Sequence, residues 1–190
     1  MSVDRRQLIV EAATKSFSLF GYKATTMDQV AKTANVGKGT IYTFFKNKEE
    51  LFDEIISKLI LEMKVAADEA IDENAPFIEN VHRAIYRLLE FRKEHQLTIK
   101  LFQEKKEMGT PEVLDVVEKV ENTILTFIKG KVQQAIEKGE IENCNPELTA
   151  FIMLKLYISL IFDWEKNHEP LEKNEIAELF ERYLFKGLSN

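Results

Sequence analysis

The stretch Thr26 to Lys48, TMDQVAKTANVGKGTIYTFFKNK, gathers side chains suited to reading a nucleic acid rather than to transforming a substrate. Lys38, Gly39, Thr40, Tyr42 and Thr43 are small or hydrogen-bonding and share one short helical segment, as a helix entering a major groove requires. Ile41, Phe44 and Phe45 form the packing side of that segment. Ahead of it, Thr26 caps a first helix while Gln29, three residues on, reaches back in a capping box, and Val30, Ala31 and Ala34 face inward. The bend between the two is Asn35-Val36-Gly37: Asn tolerates left-handed dihedrals, Gly reaches them without a Cβ penalty, and Val36 anchors the turn in the core. Two short helices pinned across a tight turn, the second polar on its outer side, make a helix-turn-helix, and that points to DNA.

Such a pair needs support. Residues 4–20 place Leu8, Ile9, Ala12, Ala13, Phe17 and Phe20 on one helical stripe that Gly21 ends. After Asn47, a natural N-cap followed by Glu49 and Glu50, a long helix carries Phe52, Ile55, Ile56, Leu59, Ile60 and Met63 to about Asn74-Ala75-Pro76. Five more helices follow: Phe77 to about His95, Gln96 to about Met108, Pro111 to about Lys138 with Gly139 as its cap, Asn145-Pro146 to about Asn167, and Glu172 to about Gly187. No strand-like alternation competes, so the chain is expected to be all-α, about nine helices.

The pattern from Gly21 to Leu51, G-Y-x-A-T-T-x-x-x-V-A-x-x-A-x-V-G-K-G-T-I-Y-x-x-F-x-N-K-E-E-L, resembles the DNA-binding domain of the tetracycline-repressor (TetR) family of bacterial regulators. The resemblance is dense over roughly the first 55 residues and continues beyond them only as length and helical pattern. It implies a three-helix DNA-binding domain over 1–48 and a helical effector-binding and dimerisation domain over 49–190. It further implies repression from a palindromic operator, relieved by a small apolar or amphipathic effector. Carried over position by position, it sets Lys38, Gly39, Thr40 and Thr43 near base edges and Thr26, Tyr42, Lys46 and Lys48 on phosphates.

The charge distribution agrees with a DNA-binding head. The whole chain carries −6, yet residues 1–48 hold eight basic side chains against three acidic ones, +5, leaving −11 for the other 142 residues. With 45% hydrophobic residues a packed core is available. There is no run of 18 apolar residues, and Glu11 and Lys15 interrupt any signal-peptide core, so a cytoplasmic protein without a membrane span is expected. The single cysteine, Cys144, excludes an internal disulfide.

The fourth of the later helices, ELTAFIMLKLYISLIFDWEK, is apolar nearly all round apart from the line Lys155, Ser159, Asp163. A second copy of the chain is the natural cover, with Phe151, Leu154, Ile158, Ile161 and Phe162 at the interface. The last helix adds Leu179, Phe180, Tyr183 and Leu184, with Ile176 and Leu188 on the same broad face. The resemblance carries the same homodimer through the last two helices. It also implies an effector pocket, for which Phe91, Phe102, Phe127 and Tyr157 offer apolar lining and His82, Tyr86 and Gln103 polar groups.

Two other classes share part of this pattern. Glu79-x-x-His82 and Glu165-x-x-His168 provide half the ligands of a di-iron carboxylate bundle, but neither remaining helix offers a glutamate inside an apolar stripe. A helical protein-interaction adaptor would share the fold without touching DNA. No phosphate-cradling glycine loop or Ser-His-Asp set is evident, so catalytic residues, metal ligands and cofactors are expected to be absent.

Overall fold

The computed structural model describes residues 4–187, excepting the side chains of 92–94 and of 187; Leu188 lies outside them. Nine α-helices occur among the described residues: α1 Arg5–Phe20, α2 Met27–Thr33, α3 Lys38–Phe44, α4 Lys48–Ala70, α5 Phe77–Glu94, α6 Gln96–Glu107, α7 Pro111–Glu137, α8 Pro146–Ile158 and α9 Lys173–Tyr183. The fold is all-α, with the three N-terminal helices of a helix-turn-helix domain, two of them of seven residues, followed by the remaining six. Two compact units emerge, one from residues 1–62 and 92–118, the other from 63–91 and 119–190.

In the first unit the helix ends follow local chemistry. Asp4 caps α1 by accepting from the N–H groups of Arg6 and Gln7, and Gly21 ends it at φ 84°. Asn47 caps α4, its Oδ1 accepting from the Glu50 N–H at 2.8 Å. Phe17, Tyr22 and Phe52 form an aromatic cluster, the Tyr22 and Phe52 ring centroids 4.5 Å apart. The stripe expected on α1 is shifted. Ile9, Val10, Ala12, Ala13, Ser16 and Phe17 are buried, whereas Leu8 and Phe20 are exposed. Helix α1 packs against both α2 and α6, and the face it turns to them takes in Val10 and Ser16 and leaves Leu8 and Phe20 outside.

In the second unit the core is apolar: Phe77, Val81, Ile85 and Leu89 of α5 meet Val132 and Ala135 of α7, Met153 of α8, Ile176 and Phe180 of α9, and Phe185. Three expectations need correction here or beside it. Helix α4 stops at Ala70, short of Asn74, because Asn80 bonds the backbone of Asp72 in both directions, Oδ1 accepting at 2.8 Å and Nδ2 donating at 2.9 Å, and fixes a turn. The helix opened by Pro146 is α-helical only to Ile158; a π-helical turn, Ser159–Asp163, and a 3₁₀ turn, Trp164–Lys166, complete its path. Lys155, Ser159 and Asp163 therefore do not form one regular α-face, and Lys155 instead pairs with Glu121 at 2.6 Å.

Candidate nucleic-acid interface

Thr26 stands in the extended conformation of an N-cap. Its Oγ1 accepts from the Gln29 N–H at 3.3 Å while Gln29 Oε1 accepts from the Thr26 N–H at 2.9 Å, the capping box read from the sequence. At the turn the left-handed residue is Asn35, at φ 54°; Gly37 sits at φ −65° as the N-cap of α3, so it does not share the left-handed role assigned to it. Its Cβ-less backbone instead starts α3 next to the Thr40 hydroxyl, 3.5 Å from where a Cβ would stand.

Helix α3 shows its reading side to solvent. Lys38, Gly39, Tyr42 and Thr43 are exposed, Thr40 is half-buried, and Ile41 is fully buried beneath them. A Cβ on Gly39 would meet nothing within 4 Å, so the space in front of it is open. Thr43 Oγ1 donates to the Thr40 carbonyl at 2.7 Å. Phe44, assigned to the packing side, is 36% exposed, while Phe45 is buried. The chain leaves the helix at Phe45, whose φ −138° and ψ 122° swing the ring into the core and leave Phe44 outside.

The cations differ in their commitments. Lys38 Nζ bonds Asp28 Oδ2 at 2.7 Å, and that bond raises its pKa above the ordinary lysine value. Both partners are well exposed, so the pair is weak and the ammonium is readily transferred to another anion. The Lys46 side chain is exposed. Lys48 behaves otherwise: its Nζ donates to the carbonyls of Tyr22 at 2.9 Å and Thr25 at 3.1 Å and lies 4.1 Å from the Tyr22 ring centroid. These bonds make it a brace under the α1–α2 loop in the DNA-free chain. Arg6 is a second brace, paired through both terminal nitrogens with Glu54 and lying 5.1 Å from the Phe45 ring centroid.

The residues expected to line an effector pocket divide between the units. Phe102, half-buried, and Gln103, exposed, belong to α6 in the first unit. His82, Tyr86, Phe91, Phe127 and Tyr157 belong to the second. There His82 Nε2 is buried with no hydrogen-bond partner, and Tyr86 Oη donates to Asn174 Oδ1 at 2.6 Å.

Of the residues expected at a dimer interface, Leu154, Ile161 and Phe180 are buried within the single chain and are corrected to its core. Phe151 and Tyr183 are exposed; Ile158, Phe162, Leu179 and Leu184 are half-buried. Leu148 and Ile152 join Phe151 on the exposed face of α8. Of the proposed iron ligands, Glu79 pairs with Arg83 and the His168 ring stacks on Trp164 at 3.8 Å, and no cluster of three or more potential metal ligands occurs among the described residues. No helix among them is long and apolar enough to cross a membrane.

A capped helix-turn-helix with an open, hydrogen-bonding recognition face defines this chain as a DNA-binding regulator. It belongs to the TetR family: residues 9–55 match the model of the bacterial regulatory proteins of the tetR family, and residues 74–188 match the tetracyclin repressor-like C-terminal domain. It is 66% identical over 189 residues to the uncharacterized HTH-type transcriptional regulator YhgD of Bacillus subtilis, covering 100% of this chain and 99% of that one. It is 23% identical to the fatty acid metabolism regulator protein of Bacillus subtilis, over 96% of this chain and 94% of that protein. The fold is shared with the fatty acid degradation regulator FadR from Bacillus halodurans at a TM-score of 0.75 and 17% identity, covering 94% of this chain and 95% of that one. Regulators of this family bind DNA and small-molecule effectors and act as dimers. These likenesses favour neither the adaptor nor the di-iron enzyme.

Proposed function

We propose that this regulator is a cytoplasmic, non-enzymatic homodimer that represses transcription from a palindromic operator and is released by an apolar or amphipathic effector. Residues 1–48 read the DNA and residues 49–190 supply the dimer and the effector site. The observation that carries the reading is the exposed side of α3, Lys38, Gly39, Thr40 and Thr43, standing on a buried Ile41 at the start of a helix. Those four meet base edges, while Thr26, Tyr42 and Lys46 meet phosphates. Two such helices related by two-fold symmetry require two half-sites about one helical turn apart.

The dimer reading is supported by the apolar side chains that α8 and α9 leave exposed or half-exposed, Leu148, Phe151, Ile152, Leu179 and Tyr183. The effector reading is supported by His82 Nε2, which is buried in the second unit with no hydrogen-bond partner. Relatives named for fatty acid metabolism and degradation make fatty acyl compounds the first class to screen. An effector that favours the wrong spacing of the two reading heads by about 1–3 kcal/mol lowers operator affinity roughly 5- to 150-fold, and operator weakens effector binding by the same factor.

Selection of bound duplex from a random pool tests the core of this reading. The recovered sequence is expected to be two-fold symmetric. On it, Lys46→Ala weakens cognate and random DNA alike and flattens the salt slope by about one unit per half-site, whereas Thr43→Ala relaxes one base position at a cost of roughly 1–3 kcal/mol. Recovery of asymmetric duplexes, or identical behaviour of the two variants, would overturn it.

A further inference from the structure

Helix α6 carries Glu104 between Gln103 and the pair Lys105-Lys106, a setting that reads as a solvated surface. The side chain is instead 1% exposed. A carboxylate taken out of water must find donors. Glu104 finds three: the Tyr22 N–H at 2.6 Å on Oε2, the Lys23 N–H at 2.9 Å on Oε1 and the Thr110 hydroxyl at 3.1 Å on Oε1. Consecutive backbone N–H groups converging on one anion form a nest. Gly21 completes the fit, because a Cβ there would stand 2.5 Å from Glu104 Oε2 and φ 84° already disfavours any other residue.

The same loop is held from its other side. Its carbonyls at Tyr22 and Thr25 accept from Lys48 Nζ, the Thr25 hydroxyl donates to the Gly21 carbonyl at 2.8 Å, and the Tyr22 hydroxyl donates to Glu49 at 2.9 Å. Thr26, the next residue, is the N-cap from which α2 begins. The loop's N–H groups are thus fixed by α6, its carbonyls by the first residue of α4, and its far end is the start of the reading pair.

We propose that Glu104 is a positioning residue for DNA recognition: its carboxylate grips the α1–α2 loop and so sets the orientation in which α2 and α3 are presented. The consequence for DNA rests on the operator reading above; the grip itself does not. Glu104→Gln keeps the size but turns an amide NH₂ toward one of the two backbone donors, so one bond is lost and two donors face each other.

The test joins two measurements on the full-length protein. In the wild type, the Tyr22 and Lys23 amide protons are expected to exchange at least about a hundredfold slower than in an open loop, because the carboxylate is their acceptor. Rapid exchange there overturns the proposal without any variant. In Glu104→Gln those two amides are expected to exchange about tenfold or more faster, while the amides of Phe17 and Val30 are unchanged, and affinity for the selected duplex falls about tenfold with random DNA changed less than about twofold. Unchanged exchange and unchanged cognate affinity overturn it, as does a loss equal for cognate and random DNA, or acceleration throughout α1 and α2, either of which marks Glu104 as merely structural. Should the wild type select no duplex at all while Tyr22 and Lys23 remain protected, the operator reading fails, and the DNA consequence of this inference with it, but the grip stands.

Discussion

In the unit that carries the helix-turn-helix, a buried carboxylate and a lysine ammonium hold the backbone of one loop from both sides; in the other unit, polar pairs such as Tyr86–Asn174 and Lys173–Glu90 join exposed and half-buried side chains, and the main cluster is apolar. The difference reflects what each must keep constant. A recognition helix must be held in one orientation, and only directional bonds fix orientation. A core that must fill a volume needs shape and apolarity, which tolerate more than one arrangement of side chains.

The sharpest challenge to that contrast lies on α9. Phe180→Ala empties a fully buried site in the apolar cluster and is expected to cost about 3–5 kcal/mol by chemical denaturation. Tyr183→Ala, three residues on and 71% exposed, is expected to change chain stability by less than about 0.5 kcal/mol yet to raise the dimer dissociation constant in sedimentation equilibrium. Equal stability losses would mean that the second unit is not organised around the cluster described here.

A smaller effect is expected at Gly21. Alanine there occupies a backbone region reserved for glycine, at about 1–3 kcal/mol, and displaces the Glu104 carboxylate. Thermal denaturation measures the first, and accelerated Tyr22 amide exchange the second. A variant as stable as the wild type would show that the loop is not tightly held. Thr26→Ala removes one half of the capping box and is expected to cost about 1 kcal/mol, with fraying confined to the first turn of α2 in amide exchange.

The least effect is a pH dependence. Burial first, and then the hydrogen bond to Glu49, hold the Tyr22 phenol above its ordinary value of 10.0. The folded chain favours the protonated phenol, so this contribution is complete below about pH 10 and is lost as pH rises beyond it. Unfolding midpoints followed from about pH 8 to about pH 11 should fall more steeply for the wild type than for Tyr22→Phe; parallel curves would remove the phenol from the loop's network.

Legibility followed the range of the interaction. The Thr26–Gln29 box, the Asn47 cap, the stop at Gly21 and the break before Pro111 are settled within about four residues, and each was readable. The burial of Phe45 rather than Phe44 was not, because one residue leaving helical dihedrals reverses which ring faces the core. Leu154, Ile161 and Phe180 were readable as apolar but not as internal, since an apolar helix face does not say whether its own chain or a second copy covers it.

The sequence by itself therefore determined the number and order of the helices, the helix-turn-helix and the basic head, though not where α4 and α8 end, because capping, turn chemistry, periodicity and charge act between near neighbours or by composition. Only the tertiary structure decided that Lys48 braces a loop, that α1 is buried on two sides, and that Glu104, 82 residues from Tyr22, is its acceptor. A surface glutamate and a gripping one are the same letter in the chain; what separates them is which backbone N–H groups the fold brings within 3 Å.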